Sequence, residues 1–287
     1  MLARIIAALL LLLALAGCSA LRIGYGQAPT LAYWWLDGYV DFDEAQTLRT
    51  REGLQRWFEW HRRTQLPDYA ALLARAQADA LADGSPEQAC RWWGVLRERG
   101  ERALDAALPP AAEVLPLLTA GQLRHVERQQ AKGNEEFRRE FLAGDAAERR
   151  QRDVERAIDR AEFVYGRLDD RQRALVERLV AASPFDPERW DAERRLRQQD
   201  SLALLRRVVA EKPGREATLA MLRVWAERLL NSPREDYRRY QQRLTQFNCG
   251  FAATLHNSTT PTQRQAAADR LRGWEQDLRA LAAAGAP

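Results

Sequence analysis

The same short pattern, an Asp, Ser or Thr followed three residues later by Gln, occurs at five expected helix starts along this chain. At a helix start the first side chain accepts a hydrogen bond from the amide three residues on, and the Gln accepts one from the amide of the first residue. Proline after two of these residues, at 86 and 261, also suits a first helical turn, where an amide N–H would be unpaired. The pattern therefore predicts five helix starts, capped by Asp43, Ser85, Thr119, Asp169 and Thr260.

The rest of the chain also predicts helices. No segment shows sustained alternation of β-branched residues, and no Asn-Gly or Asp-Gly turn joins two such segments. Breaks are expected where Gly and Pro interrupt the helical pattern, among them Pro109-Pro110. The unequal spacing of the five starts is unlike that of a regular repeat protein. We predict an all-α multi-helix bundle of antiparallel helical hairpins, with helices at 30–40, 43–64, 67–82, 85–107, 119–143, 145–167, 169–182, 187–211, 214–231, 233–256 and 260–283.

The first 17 residues have the features of a cleavable export signal. Arg4 precedes an uncharged apolar segment, Ile5 to Ala16, which is shorter than the ~20 residues that a membrane-spanning helix needs. The segment Leu15-Ala16-Gly17-Cys18 resembles the lipobox of bacterial lipoproteins. This resemblance implies cleavage between Gly17 and Cys18, and a Cys18 that carries diacylglycerol and an N-acyl chain as a membrane anchor.

The lipobox implies an organisation and a location for the whole chain. We expect a signal peptide at 1–17, a lipidated tether at 18–29 and an all-helical periplasmic body at 30–287, with a candidate sub-boundary near 109–117. Ser19 follows the lipobox cysteine. By resemblance to sorting in Gram-negative bacteria, it favours the periplasmic face of the outer membrane over the inner membrane.

Charge argues against nucleic acid as a partner. The formal net charge is only +4, and acidic and basic residues are interleaved, so no broad positive field is expected. Arginine supplies almost all of the basic residues, with Lys132 and Lys212 the only lysines. We attribute this preference to base composition of the genome and not to phosphate recognition.

Two cysteines lie in the predicted body, Cys90 and Cys249. An exported protein meets oxidising conditions, which favour a disulfide between them. Such a bridge would close a loop of more than 100 residues and stabilise the fold by ~4–5 kcal/mol in the chain-entropy description. The alternative is two buried thiols that pack as small apolar groups.

No catalytic motif is apparent. His61, His125 and His256 each stand alone in their segments, and the sequence has no His-Glu-x-x-His, Cys-x-x-Cys, phosphate-binding loop or Gly-x-Ser-x-Gly. We therefore expect no enzymatic activity, no metal and no cofactor apart from the lipid. The one acidic cluster near aromatic residues leaves a peptidoglycan-acting hydrolase as an alternative; it comprises Asp37, Asp41, Asp43 and Glu44.

Nine tryptophans are present, and two pairs are adjacent, Trp34-Trp35 and Trp92-Trp93. Neighbours on a helix point about 100° apart, so one member of a pair can remain exposed for a partner or a lipid surface. Core packing is the competing interpretation.

His61 lies among aromatic residues, where it could contact a ligand or respond to pH. The candidate partner or lipid surface comprises Trp34, Trp35, Trp57, Trp60 and His61.

Leu118-Thr119-Ala120-Gly121-Gln122 is similar to the LTxxQ motif of the periplasmic proteins Spy and CpxP, and Leu168–Gln172 is a looser version with Asp for Thr. Those are small helical proteins that bind unfolded clients or sense envelope stress. This resemblance implies a holdase-like chaperone or a stress adaptor. The chain is about twice as long as those proteins and matches the motif strictly at one site. Two ordinary helix caps are the competing interpretation.

Over most of its length the chain resembles an uncharacterised family of proteobacterial lipoproteins. The resemblance rests on Leu21–Tyr25, Tyr33–Asp41, Trp60–Arg63, Leu66–Tyr69 and Asn134–Glu140. It implies a helical fold and an envelope location but no known activity. We therefore expect a membrane-anchored periplasmic lipoprotein with a non-enzymatic binding or structural role, whose partner is an envelope protein.

Overall fold

The computed structural model describes residues 20–284, and their regular structure is helical throughout. The predicted all-α multi-helix fold is confirmed. Gly17 and Cys18, where signal cleavage and lipidation are predicted, lie outside the described residues. The helices are α1 (Ala20–Val40), α2 (Glu44–Trp60), α3 (Leu66–Leu81), α4 (Pro86–Val114), α5 (Ala120–Phe137), α6 (Ala146–Tyr165), α7 (Asp170–Ala181), α8 (Pro187–Glu211), α9 (Arg215–Leu230), α10 (Glu235–Asn257) and α11 (Pro261–Ala283).

Helix α1 begins at Ala20 and includes Pro29, so the prediction that the first helix begins at residue 30 is wrong, and the described part of the predicted tether is helical. The first turns of α1 are held by contacts with distant helices. Arg22 forms an ion pair with Asp277 of α11 at 3.2 Å, and the ring of Tyr25 packs edge-on against Phe58 of α2. Gly24, Gly26 and Pro29 have low helix propensity, so the local sequence argues against a helix here. The contacts with α2 and α11 outweigh that propensity.

The break expected at Pro109-Pro110 is also absent, because α4 continues to Val114. Two prolines in a helix interior are costly, at about 3 kcal/mol each. Packing compensates here. Gly53 of α2 allows Pro110 to approach so closely that a Cβ on the glycine would lie 2.8 Å from the proline Cβ. On the same stretch, Leu108 and Ala112 are buried in a cluster with Leu219, Leu222 and Ala226 of α9.

The candidate sub-boundary near 109–117 falls on this continuous end of α4 and on the 3₁₀ turn Leu115–Leu117 that follows it. Helix α4 packs against α2 from the preceding part of the chain and against α9 and α10 from the following part. The most extensive helix pair is α3 with α11. The N-terminal and C-terminal parts are therefore packed together and not divided at this point. Among the described residues, no helix is both long enough and apolar enough to cross a membrane.

All five predicted caps accept the expected hydrogen bond from the third helical amide. Four of them are complete capping boxes, at Asp43, Thr119, Asp169 and Thr260. A further complete box, at Asp145, was missed because its third helical residue is Glu148 and not Gln. The helix starts are thus the best-predicted local feature of the chain.

The glutamines of the capping boxes also join distant turns, which the sequence did not predict. Gln46 and Gln122 donate to each other's side-chain oxygens. Gln46 also donates to the Leu117 carbonyl at 2.8 Å, and Gln122 to the Asp41 carbonyl at 2.6 Å. Each carbonyl lies two residues before the N-cap of the other box. We call this reciprocal contact between the α1–α2 and α4–α5 turns the first glutamine pair.

A second glutamine pair repeats the arrangement between the α6–α7 and α10–α11 turns. Gln172 and Gln263 donate to each other at 2.7 and 2.9 Å. Gln172 donates to the Ser258 carbonyl and Gln263 to the Arg167 carbonyl, again two residues before the opposite N-cap. With the capping bond included, each of these amides uses two donors and accepts two bonds, which is its full capacity.

Replacing Gln46 by Glu separates the capping role from the pairing role. Glutamate at this position can still complete a capping box, but its carboxylate has no donor for the Leu117 carbonyl or for Gln122. Because Gln46 is buried at 1% exposure, we expect Gln46→Glu to lower the free energy of unfolding by about 2–4 kcal/mol. Equilibrium urea unfolding at neutral pH measures this change.

The matched control is Glu148→Gln, the reverse exchange in the exposed capping box at Asp145. It should change the free energy of unfolding by less than about 1 kcal/mol, the usual size of a charge effect at a helix start. Equal effects of the two substitutions would contradict the pairing role.

Candidate functional site

A cleft of about 460 Å³ lies between helices α3, α4, α6, α10 and α11. Helix α4 contributes Trp92, Trp93 and Leu96, and α10 contributes Ala252 and Ala253. Trp93 is 53% exposed although it lines the cleft, and Leu96 is also exposed. The cleft is therefore an open apolar surface that can accept an apolar group from solution.

Four polar side chains in the cleft form two separate hydrogen-bonded pairs. The Nε2 atom of His256 lies 2.7 Å from the Ala82 carbonyl, which can only accept, so Nε2 carries the hydrogen. The Nδ1 atom then accepts a hydrogen bond from the Tyr165 hydroxyl at 2.9 Å. Burial raises the pKa of Tyr165, which keeps this donor protonated. In the second pair, the Trp92 indole donates to the Asp79 carboxylate at 2.8 Å.

A disulfide and a turn contact fix the walls of the cleft. Cys90 of α4 and Cys249 of α10 form a disulfide with a Cα–Cα distance of 5.3 Å and a sequence separation of 159, so of the two alternatives the bridge is the one formed. A loop of this length corresponds to about 5 kcal/mol of stabilisation in the chain-entropy description. Asn257 bonds both the amide and the carbonyl of Gly84, at 2.8 and 2.9 Å, which ties the α3–α4 turn to the end of α10.

A separate aromatic cluster surrounds His61. The π-helical turn His61–Gln65 joins α2 to α3 without a break, and π turns are frequent at functional sites. The imidazole stacks on Trp57 with ring centroids 4.9 Å apart, and its Nδ1 atom lies 2.8 Å from the Tyr25 hydroxyl. Tyr69 meets it edge-on. Burial lowers the pKa of His61, which favours the neutral imidazole.

The structure divides the predicted partner or lipid surface into two parts. Trp34 and Trp35 are both exposed, so the core-packing interpretation is wrong for this pair. Trp57, Trp60 and His61 are half-buried in the aromatic cluster, and the Trp57 indole donates to the Ala103 carbonyl. Only the first pair is open to a partner.

The acidic cluster shapes the α1–α2 turn. Asp37 accepts a hydrogen bond from the Phe42 amide at 3.1 Å. Asp41 has a φ of 65°, in the left-handed region, and its carbonyl belongs to the first glutamine pair. Asp43 is the N-cap of α2, and Glu44 is its first residue. These contacts give the acidic residues structural roles. The described residues contain no cluster of three or more His, Cys, Asp or Glu side chains arranged to hold a metal ion.

The cleft itself was missed by sequence reasoning. The Trp92-Trp93 pair was the available signal, and it divides as expected into a half-buried and an exposed indole. His256 and Tyr165 carry no local pattern, because they are 91 residues apart and meet only through the packing of α6 against α10. A cleft formed by five helices leaves no contiguous trace in the sequence.

The aromatic cluster predicts a pH dependence of stability. Because the pKa of His61 is lower in the folded protein than its ordinary value of 6.5, the unfolded chain binds the proton more tightly. The contribution of neutral His61 to the free energy of unfolding is therefore fully present above about pH 6.5. It is lost as the pH falls through the pKa of the folded state. His61→Gln, which retains an acceptor for Tyr25, should reduce the loss of unfolding free energy between about pH 7.5 and about pH 5.5. An unchanged loss in urea unfolding would contradict this assignment.

Comparison with known proteins identifies a family whose function is unknown. Searches of curated proteins and of solved structures found no match. A family described as "Family of unknown function (DUF6279)" matches residues 38–238. That range covers more than half of the chain and includes α2 to α9 in full. The chain belongs to the DUF6279 family.

Proposed function

We propose that this protein is a lipid-anchored binding protein of the bacterial cell envelope, which holds an apolar segment of another exported protein in its cleft without changing it chemically. The observation that carries the binding role is the open apolar cleft with Trp93 and Leu96 exposed in its lining. Large apolar side chains exposed in a concave site are typical of binding surfaces. A peptide that places an apolar side chain there would gain contact area on the indoles of α4.

The polar groups of the cleft also fit a binding role. His256 is engaged by Tyr165 and the Ala82 carbonyl, and the Asp79 carboxylate is engaged by Trp92. A guest would therefore meet these four side chains already partnered, and we expect affinity to come mainly from apolar contact. The disulfide between Cys90 and Cys249 supports a rigid cleft, since fixed walls lower the ordering cost of binding.

The location rests on the lipobox resemblance at Leu15–Cys18. Acyl chains on Cys18 would hold the mature chain on a membrane, and Ser19 favours the periplasmic face of the outer membrane. The resemblance to proteobacterial lipoproteins supports the same location. A disulfide in the helical body fits an oxidising compartment such as the periplasm.

A holdase-like chaperone of the LTxxQ type is the second candidate, and the same open cleft favours it. A holdase would use the cleft for many unfolded clients and not for one partner. Its test is suppression of aggregation of a denatured model client by a stoichiometric excess of this protein. The glutamine of the LTxxQ-like segment, Gln122, is buried in the first glutamine pair, so the motif itself has a structural role in this fold.

Filling the cleft tests the binding role. Ala252 lines the cleft and is exposed, so Ala252→Phe places a ring in open space. We expect this substitution to weaken binding of the apolar fluorescent probe N-phenyl-1-naphthylamine by about tenfold or more, which is about 1.4 kcal/mol. The control is Ala266→Phe, an equivalent exchange at an exposed position of α11 outside the cleft lining. Equal probe affinities of the two variants in a fluorescence titration would count against the cleft.

Replacing Cys18 tests the anchor. Cys18→Ala removes the thiol that would carry diacylglycerol, so we expect the N-terminal peptide to lose the mass of its acyl chains. Mass spectrometry of this peptide in the wild-type chain and the variant measures the change, and the exposed substitution Ser19→Ala is the control. An N-terminal mass without acyl chains in the wild-type chain would refute the anchor.

A further inference from the structure

The two opposite faces of α1 differ in their surroundings. One face carries Tyr25 and Tyr33 into the body: Tyr25 contacts His61, and the buried Tyr33 hydroxyl bonds the Thr47 hydroxyl at 2.9 Å. Tyr25 and Tyr33 are eight residues apart, about two helical turns, so both project from the same side of α1. Their contacts therefore fix the rotation of α1 about its own axis. The opposite face must then point away from the body.

That outward face is uncharged and mostly apolar, with Gln27 and Thr30 as its exposed polar residues. It carries Ile23, Leu31, Trp34 and Trp35, which are 62%, 52%, 60% and 67% exposed. We call these four residues the α1 stripe. Between Ile23 and Trp35 it extends about 18 Å along the helix.

Charged residues are almost absent from α1. Its sequence contains only Arg22 and Asp37. Arg22 pairs with Asp277, and Asp37 accepts from the Phe42 amide. The stripe therefore presents large apolar and indole side chains over an uncharged surface, a composition that suits the boundary between lipid headgroups and acyl chains.

The position of the lipobox selects the occupant of this surface. Cys18 precedes the first residue of α1, Ala20, by two positions. A lipidated Cys18 would therefore bring the first turn of α1 to the bilayer surface. If α1 stood upright on the membrane, Trp34 would lie about 21 Å from that turn, in water. If α1 lies flat, its apolar stripe is removed from water along its length.

We propose that the α1 stripe lies in the headgroup–acyl boundary of the membrane that carries the lipid anchor, so that α1 is an interfacial helix with the body fixed above it. This inference rests on the lipid anchor of the proposed function. It adds a second contact with the bilayer, and a chain held at two points presents a defined side to the membrane.

Tryptophan quenching in vesicles tests the stripe. The complete lipidated protein is reconstituted into vesicles of phosphatidylethanolamine and phosphatidylglycerol, with a fraction of lipid brominated near the glycerol end of the acyl chains. We expect bromine to quench the wild-type emission, and Trp34→Phe/Trp35→Phe to remove roughly half or more of that quenching, because indoles at the boundary lie close to the bromine atoms. The control Trp93→Phe/Trp190→Phe removes two other exposed indoles and should leave the quenching unchanged.

A charge in the stripe gives an independent readout. Leu31→Glu, which retains every tryptophan, should reduce the bromine quenching of the emission, because a carboxylate resists entry into the boundary. Leu81→Glu introduces the same charge at an exposed leucine near the end of α3 and should not reduce it. Far-ultraviolet circular dichroism of all four variants checks that the helical fold is retained.

The mass of the N-terminal peptide keeps the two proposals apart. Acyl chains on Cys18 without quenching of Trp34 and Trp35 would overturn the interfacial helix and leave the anchor standing. A protein without acyl chains would refute the anchor itself. A dimer in sedimentation that is lost in Trp34→Phe/Trp35→Phe, with no bromine quenching, would assign the stripe to a second copy and would also overturn the proposal.

Discussion

The reciprocal bonding of two glutamine side chains across helix turns is the interaction on which the arrangement of this chain depends. Each of the four amides caps its own helix, bonds its partner glutamine and bonds the carbonyl two residues before the opposite N-cap. A buried amide that used fewer of these bonds would be destabilising, so the turns are held in one relative position. Glutamate could replace the capping bond but not the two donors, which explains why glutamine occupies all four positions while Glu148 suffices in an exposed box.

The second glutamine pair lies next to the residues that hold one wall of the cleft. Its Ser258 carbonyl follows directly after Asn257 and His256, the two residues that bind the α3–α4 turn. The disulfide joins α4 to α10 two helical turns earlier, at Cys249. The cleft wall formed by α10 is thus fixed covalently at one point and by hydrogen bonds at another. Because Cys90 lies on α4, two residues before Trp92, the same bridge also holds the helix that carries the indoles of Trp92 and Trp93.

Local signals predicted the helices well and the contacts between them poorly. Capping residues and Gly or Pro breaks act within a few residues, so the helix starts at Asp43 and Asp169 could be read directly. The pairing of their glutamines with Gln122 and Gln263 spans 76 and 91 residues and has no local signature. The helical course of residues 20–29 and of Pro109-Pro110 likewise depends on packing against α11, α2 and α9, which overrides propensity. The disulfide was one of two open alternatives, because spacing alone does not decide whether two cysteines meet.

Helix α1 connects the proposed anchor to the rest of the molecule, and its contacts determine how much freedom that connection has. An extended tether would let the body rotate freely above the membrane. The helix is instead held near its start by Arg22 and Asp277, in its middle by Tyr33 and Thr47, and near its end by His125, whose Nε2 atom lies 3.0 Å from the Gly38 carbonyl. Any force that orients α1 therefore orients the body with it. Because α11 contacts α1 and also lines the cleft, the direction in which the cleft faces follows from how α1 rests on the bilayer.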